Sequence, residues 1–348
     1  METKGAVMAN ETTGEMALVT GGSGFLAGWM IAALLNAGYR VRTTVRNLAR
    51  EGEVRAALSA VTQGGERLEF LEADLLNDHG WDRAAAGAAY VLHVASPMQV
   101  GEFRNQDVIR PAREGTLRVL KAAAAAGVRR TVITSSAQAA LPRRPGDDPS
   151  DETAWTDLSA RRLSDYTRAK TLAEQDAWRF AAENTGMSVA TVLPAFIQGP
   201  VLSADISGSI EIISRLLKGQ VSAVPRLGFT IVDVRDLAAL HLSAMTAPEA
   251  HGQRFIGGGD FLWFSDIARL LRQTLGKSAD RVPTKVAPDF LIRLAALSQK
   301  ELRQLTPTLG KRYLFSSAKA ERLLGWKSRP AATSVLDAAQ SLIRTGLT

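Results

Sequence analysis

A chain of 348 residues, 46% hydrophobic and 22% charged, carries enough apolar material for a sizeable core and lies outside the composition of disordered proteins. It has no cysteine, so disulfides and thiolate chemistry are excluded and a reducing, cytoplasmic setting is expected. The net charge of +7 is scattered, without basic runs interleaved with aromatics, and no apolar run reaches the roughly 18 residues of a membrane span; neither nucleic acid nor a membrane is an expected partner, and a basic cleft for a phosphorylated cofactor fits the charge better.

Residues 1–14 are mixed and polar, without the apolar stretch of a secretory signal, and are expected to form a flexible extension. Met16 to Val19 reads as a short buried strand, Thr20 to Gly24 as a glycine-rich turn, and from Phe25 the apolar residues recur on one helix face. Strand, glycine turn and helix start in succession make a phosphate cradle. Free backbone N–H groups and the positive end of the helix dipole face an anion there, and glycine lets the backbone approach it closely. Asn36-Ala37-Gly38 closes that helix. A second strand follows at Arg40–Val45, helical residues at about 49–60, and a third strand at Leu68–Leu71 leading into Asp74-Leu75. The fourth strand, Tyr90–Val94, ends in Ala95-Ser96-Pro97, and a long helix runs from about Asp107 to Ala126. The fifth strand, Thr131–Thr134, ends in Ser135-Ser136; a helix at about 163–184 precedes the sixth strand, Val189–Leu193, which ends at Pro194. Strands alternating with helices imply right-handed crossovers and a doubly wound parallel α/β sheet of the Rossmann type.

After Pro194 the rhythm changes. Residues 195–229 are punctuated by glycine and serine around one helix at about 210–218, Thr230–Asp233 and the helix 234–245 read as a return to the sheet, and from 257 short helices are broken by Pro283, Pro288, Pro307 and Pro330. The expected division is a cofactor domain of residues 15–194 with 230–256, and a smaller substrate lobe of 195–229 and 257–348.

Tyr166 and Lys170, four residues apart, share a helix face. A lysine ammonium beside a phenol favours the phenolate and is expected to lower the tyrosine pKa toward working pH, which suits a group that protonates an alkoxide or removes a hydroxyl proton. Ligands of open α/β sheets bind outside the carboxyl ends of the strands, where Ser135-Ser136 lie, so a serine hydroxyl there can donate to a carbonyl oxygen; Ser136 also reads as a helix cap. His93, ending a buried strand, reads as a satisfied core histidine. No His/Asp/Glu cluster has metal-ligand spacing, so no metal is expected, and the acids Asp147, Asp148, Asp151 and Glu152 read as solvated. No Asp or Glu stands between Gly38 and Arg50 to hold a ribose 2′-hydroxyl, whereas Arg46 suits a 2′-phosphate; the expected cofactor is NADPH/NADP+, with Arg50 either assisting or solvated.

These motifs stand in a familiar order: Thr20-Gly21-x-x-Gly24-Phe25-Leu26-Ala27, Asp74-Leu75, His93-Val94-Ala95-Ser96-Pro97, Thr134-Ser135-Ser136 and Tyr166-x-x-x-Lys170, supported by Val45-Arg46, Asp233-Val234-Arg235-Asp236-Leu237 and Leu323-Leu324-Gly325-Trp326. From Met16 to Leu347 the chain resembles the extended short-chain dehydrogenase/reductases (the NAD-dependent epimerase/dehydratase superfamily), most of all the dihydroflavonol-4-reductase-like aldehyde and ketone reductases. The resemblance implies a catalytic set of Ser136, Tyr166 and Lys170, with Ser136 chosen over Ser135 because it directly precedes the variable stretch after the strand. It implies cofactor contacts from Gly21, Ser23, Gly24, Phe25 and Leu26 at the phosphates, Arg46 at the 2′-phosphate, Asp74 and Leu75 at the adenine, and Val94, Ala95 and Ser96 at the nicotinamide-side ribose. Pro194, Ala195, Phe196 and Ile197 fall at the carboxamide; Ser209 matches a cofactor-contacting serine of the branch, with a helix cap as its plainer reading. Two positions depart from the pattern, Ala27 for the third glycine and Ala112 for a helix asparagine, which leaves any proton relay to water or Lys170.

The implied activity is NADPH-dependent reduction of a hydrophobic or aryl aldehyde or ketone, reversible as an alcohol dehydrogenase. The pocket wall is expected from residues 138–163, with Trp155, and 195–226, with Phe196, Leu202, Ile206, Leu227, Phe229 and Trp263 as lining or as lobe core. A sugar-nucleotide epimerase or dehydratase, a 3β-hydroxysteroid dehydrogenase, and a non-catalytic NADP(H) sensor are the alternatives. A homodimer paired through the two long helices is implied by the resemblance alone.

Overall fold

The computed structural model describes residues 14–96, 108–160, 163–204, 206 and 208–348. Most of the expected N-terminal extension, Pro97 and Asp107 lie outside the described residues. The central sheet has seven strands in the order β3 (Leu68–Glu72), β2 (Arg40–Val45), β1 (Met16–Val19), β4 (Tyr90–His93), β5 (Arg130–Thr134), β6 (Ser188–Pro194) and β9 (Arg254–Gly257), every pair parallel. The order in which strands are added reverses between β1 and β4, and connections leaving their carboxyl ends in opposite directions form the crevice in which such sheets bind ligands.

Helices cover both faces. On one lie α1 (Phe25–Asn36) and α2 (Glu51–Ser59), joined later in the chain by α7 (Val234–Thr246); α3 (Trp81–Ala85), α4 (Ile109–Ala125) and α5 (Asp165–Glu183) pack on the other. The sequence of α1, FLAGWMIAALLN, is apolar all round, and the helix is buried accordingly, Met30, Ile31, Leu34 and Leu35 being fully enclosed between the sheet and α7. α5 starts where Ser164 caps it, its hydroxyl accepting the Thr167 amide at 3.0 Å, and this fixes the rotation that points Tyr166 and Lys170 toward β5.

The strand expected to return to the sheet at 230–233 does not do so. It forms β8 (Gly228–Asp233), the middle strand of a separate three-stranded sheet between β7 (Phe196–Gln198), parallel to it, and β10 (Phe261–Trp263), antiparallel. Only Ala195 separates β6 from β7, so the chain leaves the large sheet directly and β8 pairs with what has already left. Return to the large sheet is made by β9, after the α7 crossover, with Pro194 opposite Gly257. The second core, beneath the small sheet, is built with α6 (Ser209–Leu217), α8 (Phe264–Leu275) and α12 (Ala331–Arg344). The short helices α9 (Asp289–Ala295), α10 (Lys300–Leu305) and α11 (Ala318–Leu324) fill the remaining lobe.

Phe255 on β9 is fully enclosed in the main core. Truncation of such a ring leaves a cavity, so Phe255→Ala is expected to cost about 3–5 kcal/mol in urea denaturation. A cost below about 1 kcal/mol would mean that this edge strand is not integral to the sheet.

Candidate active site

The glycine turn is tightly built. Gly21 has φ +74° and a Cβ there would lie 3.0 Å from the Ala95 backbone, while one on Gly22 would lie 2.2 Å from Thr43 Oγ1. Three of its amides are spent internally: Gly21 N–H on Thr44 Oγ1 (3.1 Å), Gly22 N–H on Thr44 O (2.9 Å) and Gly24 N–H on Gly21 O (2.9 Å). Gly24 provides no side-chain cap for α1, so the amides of Ser23, Phe25 and Leu26 have no acceptor among the described residues. Uncapped N–H groups at a helix start, with the dipole behind them, form an anion site. A cleft of about 490 Å³ opens beside it, lined by Gly22 to Phe25, Glu53 and the segment Val201-Leu202-Ser203 with Ile206. Leu202 and Ile206 therefore face the phosphate cradle.

Arg46, just past β2, is exposed and has no hydrogen-bond or ion-pair partner among the described residues. Arg50 is different: its guanidinium reaches Glu53 through Nε (3.2 Å) and Nη2 (3.1 Å). On the far side of the sheet a Cβ on Gly115 of α4 would stand 2.7 Å from Leu75 Cβ, so α4 approaches Leu75 closely. Asp74 turns its carboxylate to the Leu76 amide at 3.0 Å.

The crevice floor is held by a chain of hydroxyls and one imidazole. Thr20 Oγ1 accepts the amides of Val94 and Ala95, both at 3.0 Å, and so spends both lone pairs. Its proton must then go to His93 Nδ1, 2.9 Å away. His93 Nε2–H donates to Thr116 Oγ1 (3.3 Å), whose own proton goes to Ala112 O (2.8 Å). Every member is satisfied with His93 neutral, and burial pulls its pKa down to about 3, with the Lys170 charge adding to the effect. The reading of His93 as a satisfied core residue holds.

Ser135 and Ser136, adjacent in sequence, have different partners on α5. Ser135 Oγ donates to the buried Glu174 carboxylate at 2.6 Å. Ser136 Oγ accepts the Gln138 amide at 3.2 Å, capping a short 3-10 turn over Ala137–Ala140, and keeps its proton for another acceptor; it also faces the Tyr166 phenol, whose pKa it lowers. Tyr166 nevertheless titrates above the usual tyrosine value, because desolvation of the phenol outweighs that contact. The expected downward pull from Lys170 is not found. The ammonium donates instead to Thr134 O at 3.0 Å, and burial lowers its own pKa to about 8 against the opposing pull of Glu174.

Other expected residues fall as follows. Pro194 ends β6, and Ala195 donates its amide to Gly257 O, fixing the first step of the segment expected at the carboxamide. Ile197 lies in β7, and the Ser209 hydroxyl donates to its carbonyl; Ser209 is not the cap of α6, a place taken by Gly208. Phe196 stacks on Phe229 at 4.2 Å and Leu227 is buried, so these belong to the lobe core. Glu152 is not solvated: it is 8% exposed and accepts the Ile256 amide at 2.9 Å, because β9 brings an unpaired N–H against it.

The family model described as the NAD dependent epimerase/dehydratase family matches residues 17–257. The chain belongs to that family. Among its relatives, cinnamoyl-CoA reductase 1 of Oryza sativa subsp. japonica is 37% identical over 270 residues, 76% of this chain and 78% of the relative. Tetraketide alpha-pyrone reductase 1 of Arabidopsis thaliana is 36% identical, covering 73% and 79%. Yeast methylglyoxal/isovaleraldehyde reductase Gre2, solved with NADPH, superposes with a TM-score of 0.79 at 23% identity, over 96% of this chain and all of that one, which is a likeness of fold. The chain is thus an NAD(P)-dependent oxidoreductase of carbonyl and alcohol groups within the epimerase/dehydratase family.

Three residues of this site were absent from the expected set: Thr20 as the knot of the crevice floor, and the pair Glu174 and Arg254 behind Lys170. An acid four residues beyond Lys170 on the same helix face was the available signal for Glu174. Nothing local marks Arg254.

His93 and His241 are both buried and neutral, with pKa values pulled to about 3 and about 4; His241 Nδ1–H donates to Leu237 O at 2.8 Å and its Nε2 accepts from Thr134 Oγ1 at 2.9 Å. A depressed folded-state pKa means that the unfolded chain takes up the proton first. The stabilisation is complete above the unfolded value near 6.5 and is lost as pH falls, by up to about 1.4 kcal/mol per pH unit for each ring. Urea midpoints should therefore drop between about pH 7 and pH 5, before the carboxylates titrate; a flat response would contradict the neutral, enclosed assignment.

Proposed function

We propose that this chain is an NADPH-dependent reductase of hydrophobic or aryl aldehydes and ketones, running in reverse as an alcohol dehydrogenase. The observation that carries the reading is the placement of Ser136, Tyr166 and Lys170 at the carboxyl end of β5 and on the facing turn of α5, beside an uncapped phosphate cradle. The cradle fits a dinucleotide: its glycines admit close approach, its three unspent amides face outward, and Arg46 offers an unpaired guanidinium for a 2′-phosphate. The bound cofactor supplies the hydride.

The residues of the chain do the rest. Ser136, with one lone pair taken by the Gln138 amide, directs its proton to the substrate oxygen and orients it. Tyr166 gives that oxygen its proton. A phenol held above its ordinary pKa is protonated at neutral pH, the state that reduction requires. Lys170 binds the ribose hydroxyls and keeps the positive charge near the phenol. Asp74 and Leu75 flank the adenine, Val94 to Ser96 the second ribose, and Pro194, Ile197 and Ser209 the carboxamide side. The seven-stranded sheet with its flanking helices holds the cofactor, and the lobe built on the small sheet, β8 included, holds the substrate. An apolar substrate is supported by Trp155, which is 37% exposed, and by the names of the cinnamoyl-CoA and tetraketide alpha-pyrone reductases. The enzyme works in the cytoplasm as a homodimer paired through α4 and α5; a light-scattering mass of one chain would remove the dimer.

Following NADPH absorbance against a panel of aldehydes, ketones and diketones is the direct test, and no oxidation with any of them would overturn the reading. Tyr166→Phe is expected to lower kcat by about 10²–10⁴-fold, the usual cost of a lost proton donor. Near-normal turnover would refute the mechanism. Arg46→Asp should raise the KM for NADPH relative to NADH by about tenfold or more, a loss of about 1.4 kcal/mol or more at the phosphate.

A further inference from the structure

Behind Lys170 lies a charge network that hydride transfer does not require. Glu174 is 1% exposed and one helical turn along α5 from the lysine. Its carboxylate receives Ser135 Oγ (2.6 Å), Thr191 Oγ1 (2.8 Å), Arg254 Nε (2.8 Å) and Nη2 (3.3 Å), and Trp178 Nε1 (3.3 Å). Arg254, on the edge strand β9 and 8% exposed, has its remaining donors on the carbonyls of Glu152 and Ala154, both 2.7 Å, and its guanidinium lies over the Trp155 ring at 3.8 Å. One carboxylate thus joins α5, β5, β6 and β9 and, through the arginine, the substrate-side loop. A buried ion pair is costly to desolvate and seldom a net source of stability, so its presence here calls for another role.

We propose that Glu174, clamped by Arg254, is a positioning residue for Lys170, its buried negative charge holding the lysine as an ammonium aimed at the carboxyl end of β5. Lys170 and Glu174 line one cavity of about 320 Å³ with His93, Ser135, Ala112 and Thr116. The ionisable groups around the ammonium are Tyr166 and Glu174 on its own helix, neutral His93 from β4 and, behind the carboxylate, Arg254 from β9; α4 presents Ala112 and Thr116, and β5 presents Thr134 and Ser135. Burial alone drives the lysine toward its neutral form, and Glu174 opposes this. The Arg254 clamp holds the carboxylate in place through Nε and Nη2, and so ties the setting of the site to the seating of the Trp155 loop.

The inference rests on the catalytic reading of Lys170, which Lys170→Met tests separately: near-normal turnover there sinks that reading itself. The discriminating measurement is the basic limb of the kcat/KM profile. In Glu174→Gln the limb should move to lower pH, giving a loss of about tenfold or more near pH 9 but less than about threefold near pH 6, since one pH unit of displacement is a tenfold change. Glu174→Gln leaves a buried guanidinium unpaired and risks misfolding. The double variant Glu174→Gln/Arg254→Met, which removes both charges, is therefore measured beside it and should show the same direction of shift. Glu174→Asp, which keeps the charge, should keep the wild-type limb. An equal loss at every pH, an unmoved limb in the double variant, or a limb displaced as far by Asp as by Gln would each overturn the proposal.

Discussion

One hydroxyl holds the crevice together. Where β1 and β4 part, nothing in the sheet ladder pairs the first amides beyond β4, and Thr20 takes both of them on a single oxygen. Because that oxygen has no lone pair left, its proton has one destination, and the direction of every later hydrogen bond through His93 and Thr116 to α4 follows from it. A network satisfied in only one way is stiff, and it sits under the segment assigned to the second ribose. The positions of Val94 to Ser96 are therefore properties of the protein before any ligand arrives.

The same economy governs the other end of the sheet. Two consecutive serines just past β5 meet different residues of α5. One is committed to a buried carboxylate and the other is left with a proton to give. Ser135 belongs to the support of α5, and Ser136 to the surface that support presents. The phenol and the ammonium are carried on one face of a helix whose start is set by Ser164. Desolvation pushes both groups toward their neutral forms, although Tyr166 stays 40% exposed.

Much of this was legible in the chain. Strand–glycine turn–helix, the six strands with four of their connecting helices and the Tyr166–Lys170 spacing are local patterns, and local patterns survive in sequence; the short α3 was not read. What was missed depended on distant pairing. The strand at 228–233 has the apolar character of a sheet strand, and only its partner, β7, tells which sheet. β9 is four residues long and announces nothing, yet it carries Arg254 to Glu174 and the Ile256 amide to Glu152, so two acids gain partners that only the fold supplies. The tyrosine pKa was misjudged for a related reason: the charge beside it was counted and the desolvation around it was not.

The division of labour at the cofactor cleft has an evolutionary side. The phosphates of the proposed cofactor would be addressed by backbone amides of a turn in which a side chain on Gly21 or Gly22 meets Ala95 or Thr43, so that end tolerates little variation. The guanidinium assigned to the 2′-phosphate stands outside the fold, exposed and tied to nothing among the described residues. A lineage can replace Arg46 without repacking a core, breaking an ion pair or moving a strand. Cofactor preference is thus the feature of this enzyme most free to drift, and pyrophosphate binding the least.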